Sequence, residues 1–439
     1  MVRPLLLALA AAAAAATSAC AQAPLPVLTA SPVTSDGFAF ASSGNTAFDA
    51  WRLDFARRSL ARGISRSAIV ATLANTAPIA SVQRANDSQP EFVRPVWDYL
   101  AGAVSSSRIA EGRSLLALER VIVDRATAST GVPGAVAVAI WGMETSYGKV
   151  LGSFDVPSAL ATLAYQGRRT AFGEAELLAV MRMIERGEAT RPMLRGSWAG
   201  AMGHTQFIPS TFLAHAVDGD GDGRRDIWRT PHDALASTAA YLGASGWRAG
   251  EPWGRPVTLP AGFNYALADG VRRPLSDWQA RGVQTPPGLD PAWEARLLLP
   301  AGRRGPAFLM GRNFDVIRVY NASDSYAMAV GLLSDAIAGG AAPSFSWPVD
   351  DPPIPRSQVR ELQGLLTTLG FDTGGVDGQA GPRTRTALQR FQAARNEPAD
   401  GYPGASALLS VRLAAGTTLI ATPPQPGSVT GPPPVPAPR

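Results

Sequence analysis

The sequence predicts a mainly α (α+β) fold, with a small strand-bearing insertion in a long helical region and a smaller helical unit after it. Three observations lead there. Apolar residues recur at helical spacing from about residue 35 to about residue 338. The stretch 253–300 is instead Pro-rich and mixed, and helical periodicity resumes at Val359 after a Pro-rich break. Hydrophobic residues make up 46% and charged residues 17% of 439, which excludes a disordered chain and supplies more than one core.

The N-terminus reads as an address. Arg3 supplies a positive charge, residues 5–16 form a short apolar stretch, and small residues follow through Ala21. Residues 1–21 are therefore expected to be a secretory signal, shorter than the roughly 20 apolar residues of a membrane span. Cleavage before Gln22 would release a soluble protein. Cleavage before Cys20, within Thr17-Ser18-Ala19-Cys20, would leave a lipid anchor at that cysteine. Both routes lead out of the cytoplasm, and residues 22–34 then read as a linker.

Residues 114–123 keep an apolar spacing near 3.6 and predict one amphipathic helix. Gly131-Val132-Pro133-Gly134 predicts a turn, and the almost unbroken apolar run 135–143 a buried helix. Residues 175–184 and 231–242 predict two more, with Pro231 suited to a first helical position. Residues 341–355 hold five Pro and read as a semi-stiff spacer that keeps its neighbours apart without packing. Residues 356–413 form a compact unit. The tail 414–439, with eight Pro from Ala421 onward, is expected not to fold.

Composition narrows the chemistry. The single Cys excludes a disulfide framework and a Cys-based zinc site, and three His leave little imidazole chemistry. The 40 Lys+Arg against 35 Asp+Glu are spread without basic runs, so no nucleic-acid partner is expected. Carboxylates, hydroxyls and amides remain.

Glu144 ends the apolar run 135–143 and precedes Thr145-Ser146-Tyr147-Gly148. A carboxyl held against such a surface is desolvated, which raises its pKa and suits it to protonate a glycosidic oxygen. The plainer alternative is a helix-end Glu whose head group reaches water. In residues 196–210, small residues allow close backbone approach. Ser197, Thr205 and Gln206 offer groups for hydroxyls and acetamides, and Phe207 offers a face for a sugar ring. The same stretch also reads as a simple Gly-rich connection. Asp218, Asp220 and Asp222 with Gly223 open like a calcium loop, with the Arg224 carbonyl at the seventh position. Arg229 stands where a closing Glu is usual, and Asp233 could close the site instead. A solvated acidic turn is the alternative.

Taken in order, Glu144-Thr-Ser-Tyr-Gly-Lys, the segment from Ser197 to Ser210, the Asp218 loop, Ala239-Ala-Tyr241-Leu and the stretch Val319-Tyr320-Asn321 to Val330 resemble the B-type membrane-bound lytic murein transglycosylases. The likeness covers about residues 35–338. Residues 359–409, with Leu362-Gln363, Val376-Asp377-Gly378, Gly381-Pro382-Arg383-Thr384 and Phe391-Gln392, resemble the small peptidoglycan-binding domain.

The resemblance implies a lysozyme-like catalytic domain over 35–340 and a three-helix peptidoglycan-binding domain over 356–413, working in the periplasm on glycan strands. It assigns Glu144 as catalytic acid/base, with Ser197, Gln206 and Phe207 beside the scissile bond. Tyr241, Tyr320, Asn321 and Tyr326 line the same cleft, with Arg168 and Arg169 beside it and Tyr99 upstream. It implies no catalytic cofactor and a structural Ca²⁺ held by Asp218, Asp220, Asp222, Arg224 and Asp233. His204 receives no role, and protein partners stay open. A muramidase-type hydrolase and a non-catalytic scaffold on the cell wall are the competing readings.

Overall fold

A computed structural model describes residues 33–35, 37–87 and 94–416. The expected signal, the lipidation cysteine and nearly all of the expected tail lie outside the described residues. Strand Val33–Ser35 begins inside the stretch assigned as linker and pairs antiparallel with Phe38–Phe40.

Two helical cores form the large unit. The first surrounds helix Gly134–Thr145, of which nine residues are buried. Val136, Val138 and Ile140 are poor helix formers by up to about 0.7 kcal/mol each. Burying each side chain contributes about 1.5–3 kcal/mol, so packing wins over propensity and the helix exists because it is enclosed. Helices Ser106–Leu118, Arg120–Thr130, Pro231–Ala244 and Asp324–Ile337 enclose it. Gly131 ends the preceding helix with φ +73°, in the left-handed region where Gly is favoured. A Cβ on Gly134 would stand 2.6 Å from that of Val123, so the two helices meet there only through glycine.

The second core gathers Thr46–Ala61, Arg66–Leu73, Val156–Tyr165, Thr170–Glu185 and Pro209–His215. Buried Arg52 is part of its wall: it pairs with Asp49 at 2.8 Å and donates to the Ala41 and Thr76 carbonyls. Tyr320 packs against both cores, at their seam.

One expectation is corrected here. Residues 114–123 are not one helix: Glu119 separates Ser106–Leu118 from Arg120–Thr130. Leu118 and Val121 carry the apolar rhythm across the break, yet they are 74% and 71% exposed and bury nothing.

The insertion is a four-stranded antiparallel sheet in the order Gly254–Val257, Ala307–Met310, Glu294–Leu298, Arg273–Pro274. Trp278 and Trp293 fill its own core. The C-terminal unit packs helices Arg356–Thr368, Pro382–Ala394 and Ala405–Ala414 around Leu362, Leu388, Phe391 and Val411. Two buried glutamines pin its Asp-Gly turns in the same way. Gln363 donates to Asp377 and accepts from the Gly378 amide, and Gln392 donates to Asp400 and accepts from the Gly401 amide.

The expected spacer 341–355 does not hold the units apart. Phe345 packs edge-on against Phe308 at 5.2 Å, and Trp347 lies 6.0 Å from Trp97. Asp350 pairs with Arg304, and the Arg303 amide donates to Asp400 across the junction. The five prolines stiffen the segment, but its two aromatic side chains gain more by packing than by facing water.

Candidate active site

Glu144 stands in the last turn of the buried helix, which ends abruptly after it. Ser146 and Tyr147 take φ values of +49° and +61°, left-handed geometry that is costly for side-chain-bearing residues. Tyr147 compensates by burying its ring and donating to the Arg108 carbonyl at 2.8 Å. This sharp stop leaves the Glu144 carboxyl at the seam between the two cores.

Its surroundings are apolar and phenolic. The Tyr326 hydroxyl donates to Glu144 Oε1 at 2.6 Å. Burial pushes the Glu144 carboxyl up to about 7, and the Tyr326 hydrogen bond opposes this by favouring the charged form. Burial and the nearby Glu144 charge push Tyr99 up to about 12, and the same two causes raise Tyr320 and Tyr326 well above the ordinary phenol range. Three phenols therefore stay neutral donors around one carboxyl.

Tyr320 also belongs to an aromatic floor. Phe207, Tyr241 and Tyr320 meet pairwise with ring centroids 5.7–6.0 Å apart. The Tyr320 hydroxyl donates to the Thr205 carbonyl at 2.5 Å, and the Tyr241 hydroxyl reaches the Val319 carbonyl at 3.4 Å. Phe207 is 1% exposed, so the expectation that its ring faces a sugar is corrected: both tyrosines cover it, and it supports them.

The loop before Phe207 faces the same region. Ser197 Oγ accepts from the Ala199 and Ala201 amides, which leaves its own proton to donate. Gln206, at φ +55°, spends its amide hydrogens on the Leu151 and Gly203 carbonyls, which leaves Oε1 to accept. Arg168 donates to the Asn86 carbonyl, and the Arg169 guanidinium lies 5.1 Å over the ring of Trp198, next to Ser197. Asn321 is buried and caps the turn at Ser323.

The acidic loop is a separate place. Oxygens of exposed Asp218, Asp220 and Asp222 converge within 4.8 Å of one another. Asp218 accepts from the Gly221, Asp222 and Gly223 amides, and Asp222 accepts from the Arg224 amide. An all-oxygen set on a short turn fits a hard cation such as Ca²⁺. Asp233 stands apart from that set: it is 2% exposed, and its two oxygens accept from the Gly219 and Asp226 amides. It ties the loop's ends together. His232 bridges Asp220 to Glu119, at 3.1 and 3.2 Å.

Sequence reasoning passed over Thr145, whose hydroxyl donates to the His204 carbonyl at 2.6 Å while accepting from the Gly148 amide. No local signal reveals this contact, because its partner lies 59 residues away.

Residues 47–335 match the family described as Transglycosylase SLT domain, and residues 355–408 match a peptidoglycan binding domain family. The crystal structure of SltB3 from Pseudomonas aeruginosa in complex with NAG-anhNAM-pentapeptide is 48% identical, with a TM-score of 0.81 over 84% of this chain and all of that one. The Escherichia coli lytic transglycosylase Slt35, solved with calcium, is 31% identical over 65% of this chain and 92% of that one, with a TM-score of 0.58. Membrane-bound lytic murein transglycosylase B of E. coli K12 is 33% identical over 60% of this chain and 72% of its own length.

Proposed function

This chain belongs to the transglycosylase SLT family and is a lytic transglycosylase of peptidoglycan, and from that premise we propose that Glu144 alone serves as its acid and base. The observation that carries the proposal is the carboxyl's setting: among the described residues, burial and the Tyr326 phenol are what act on it. Most glycosidases work instead with two carboxylates flanking the bond.

The steps follow from that setting. Protonated Glu144 gives its proton to the oxygen linking N-acetylmuramic acid to N-acetylglucosamine, and the bond from C1 to that oxygen breaks. The muramic acetamido group stabilises the cation-like centre. Glu144, now charged and steadied by Tyr326, takes the proton of the muramic C6 hydroxyl. Its oxygen closes on C1, giving a 1,6-anhydro end and restoring the acid. The attack is intramolecular, so the entropy of bringing the groups together is already spent.

Tyr241, Tyr320 and Tyr99 would line the glycan path, Ser197 and Gln206 would hold acetamide and hydroxyl groups, and Arg168 and Arg169 would meet substrate carboxylates. Asn321 would shape the wall. Ca²⁺ would sit on Asp218, Asp220, Asp222 and the Arg224 carbonyl, with Asp233 bracing the loop, and no catalytic cofactor is called for. The protein would work in the periplasm, free or anchored at Cys20.

Mass spectrometry of a sacculus digest made in ¹⁸O-water tests the chemistry. Anhydro ends without label are expected. Labelled reducing ends would mean a hydrolase and overturn the proposal.

A further inference from the structure

We propose that His204 is a positioning residue for Glu144. The inference rests on the reading of Glu144 as the acid/base. His204 sits in the loop between Ser197 and Gln206 and holds the end of the catalytic helix at two points. Its ring accepts from the Trp141 indole, Nε1–H to Nδ1, at 3.0 Å. Its carbonyl accepts from the Thr145 hydroxyl at 2.6 Å. Trp141 lies three residues before Glu144 and Thr145 directly after it, so the two bonds bracket the carboxyl.

The residue is itself fixed, because the His204 amide donates to the Ile227 carbonyl at 2.9 Å. With Nδ1 accepting, the proton sits on Nε2, and the ring is the neutral tautomer. Burial also lowers the pKa of this imidazole, which keeps Nδ1 free to accept. The ring meets Trp141 edge-on at 5.5 Å and fills the space above Gly148, where a Cβ would come within 2.6 Å of it. Ile227 and Trp228 follow directly on Asp226, whose amide is held by Asp233. His204 thus connects the firm base of the acidic loop to the one helix turn that aims Glu144.

The two contacts differ in what they require. Any residue at 204 can offer its carbonyl to Thr145. Only a side chain with an acceptor at the Nδ1 position can satisfy the Trp141 indole, which is 3% exposed and otherwise buried without a partner. Leaving such a donor unmade is costly, and the helix end can relieve the cost by shifting. A small shift suffices to slow proton transfer, because it depends on atoms held within hydrogen-bond reach.

The test compares His204→Phe, His204→Asn and Glu144→Gln for turnover of soluble glycan fragments and for melting temperature. The expected result for His204→Phe is a kcat lowered on the order of tenfold with KM unchanged within about twofold. His204→Asn, whose Oδ1 stands near the place of Nδ1, should recover most of that loss. If the Phe variant does not fold, Trp141→Phe removes the donor instead and must show the same kcat loss. Wild-type kcat in His204→Phe beside an inactive Glu144→Gln would overturn the positioning role and leave the acid/base reading intact. Equal kcat losses in the Phe and Asn variants, tracking their melting temperatures, would reduce His204 to ordinary packing. An active Glu144→Gln would remove the reading beneath the proposal instead.

Discussion

Glu144 and the Asp218 loop are both acidic, lie in the same domain, and are handled in opposite ways. Glu144 is a single carboxyl at the end of a buried helix, with one phenol as its hydrogen-bond donor and a pKa raised to about 7. Asp218, Asp220 and Asp222 are exposed and crowd their oxygens within 4.8 Å. Exposure and backbone amides make the cluster's charges tolerable, which suits it to a cation. Removing water from one carboxyl makes its neutral form favourable near pH 7, which suits a proton donor. Environment, rather than residue type, sets the two regions apart.

The largest effect expected is from Glu144→Gln, which keeps the shape but cannot shuttle a proton. Turnover of glycan fragments should fall by at least about a hundredfold with binding to the cell-wall polymer kept. Fragment release near the wild-type rate would erase the distinction between the two regions.

The same substitution should raise stability at alkaline pH. A buried carboxyl whose folded pKa is raised from 4.5 to about 7 contributes its full stability below pH 4.5 and loses it as pH climbs through 7. Glu144→Gln should therefore exceed the wild type above pH 7 by up to about 3 kcal/mol, with the gap closing below pH 4.5. Denaturant unfolding at pH 5 and pH 8 checks this. Tyr326→Phe sharpens the point from the other side. Losing the donor raises the carboxyl pKa further, so the alkaline fall of kcat/KM should move to higher pH.

A medium effect is expected at the acidic loop. Ca²⁺ at a hundred times its dissociation constant adds about 2.7 kcal/mol, so melting should rise by several degrees over a chelator control. Asp218→Asn should abolish that rise, and identical melting curves with calcium and chelator would make the loop a plain turn.

The smallest effect is expected from Trp347→Ala, which touches neither acidic region directly. It uncovers Trp97, on the helix Val96–Ala103 that also carries Tyr99. A stability loss of about 1–2 kcal/mol, with kcat changed only a few-fold, should separate a packed junction from a free tether. No change in melting at all would restore the spacer.

Much of this was legible in the sequence where the cause is local. The run 135–143 is apolar on every side and stops at Glu144, so burial of the carboxyl follows from neighbours in the chain. The helices around it rest on periodicity in the same way, and the strand-bearing insertion on a Pro-rich, mixed stretch where that periodicity lapses. What depends on distant partners was not legible. Tyr326 reaches Glu144 across 182 residues. Phe207 looked like a sugar platform because nothing nearby shows that Tyr241 and Tyr320 cover it. Spacing alone cannot show that Asp233 is 2% exposed and holds the Gly219 and Asp226 amides. Prolines hid the packing role of Phe345 and Trp347, and exposed Leu118 and Val121 disguised a helix break as continuity.

The most direct test of the account is the ionisation of Glu144 itself, read as the carboxyl ¹³C resonance lost in Glu144→Gln and followed from pH 3 to pH 9. The account predicts a midpoint near pH 7. A midpoint near 4.5 would mean a solvated, charged side chain at neutral pH, and the claim that burial makes Glu144 the proton donor would be wrong.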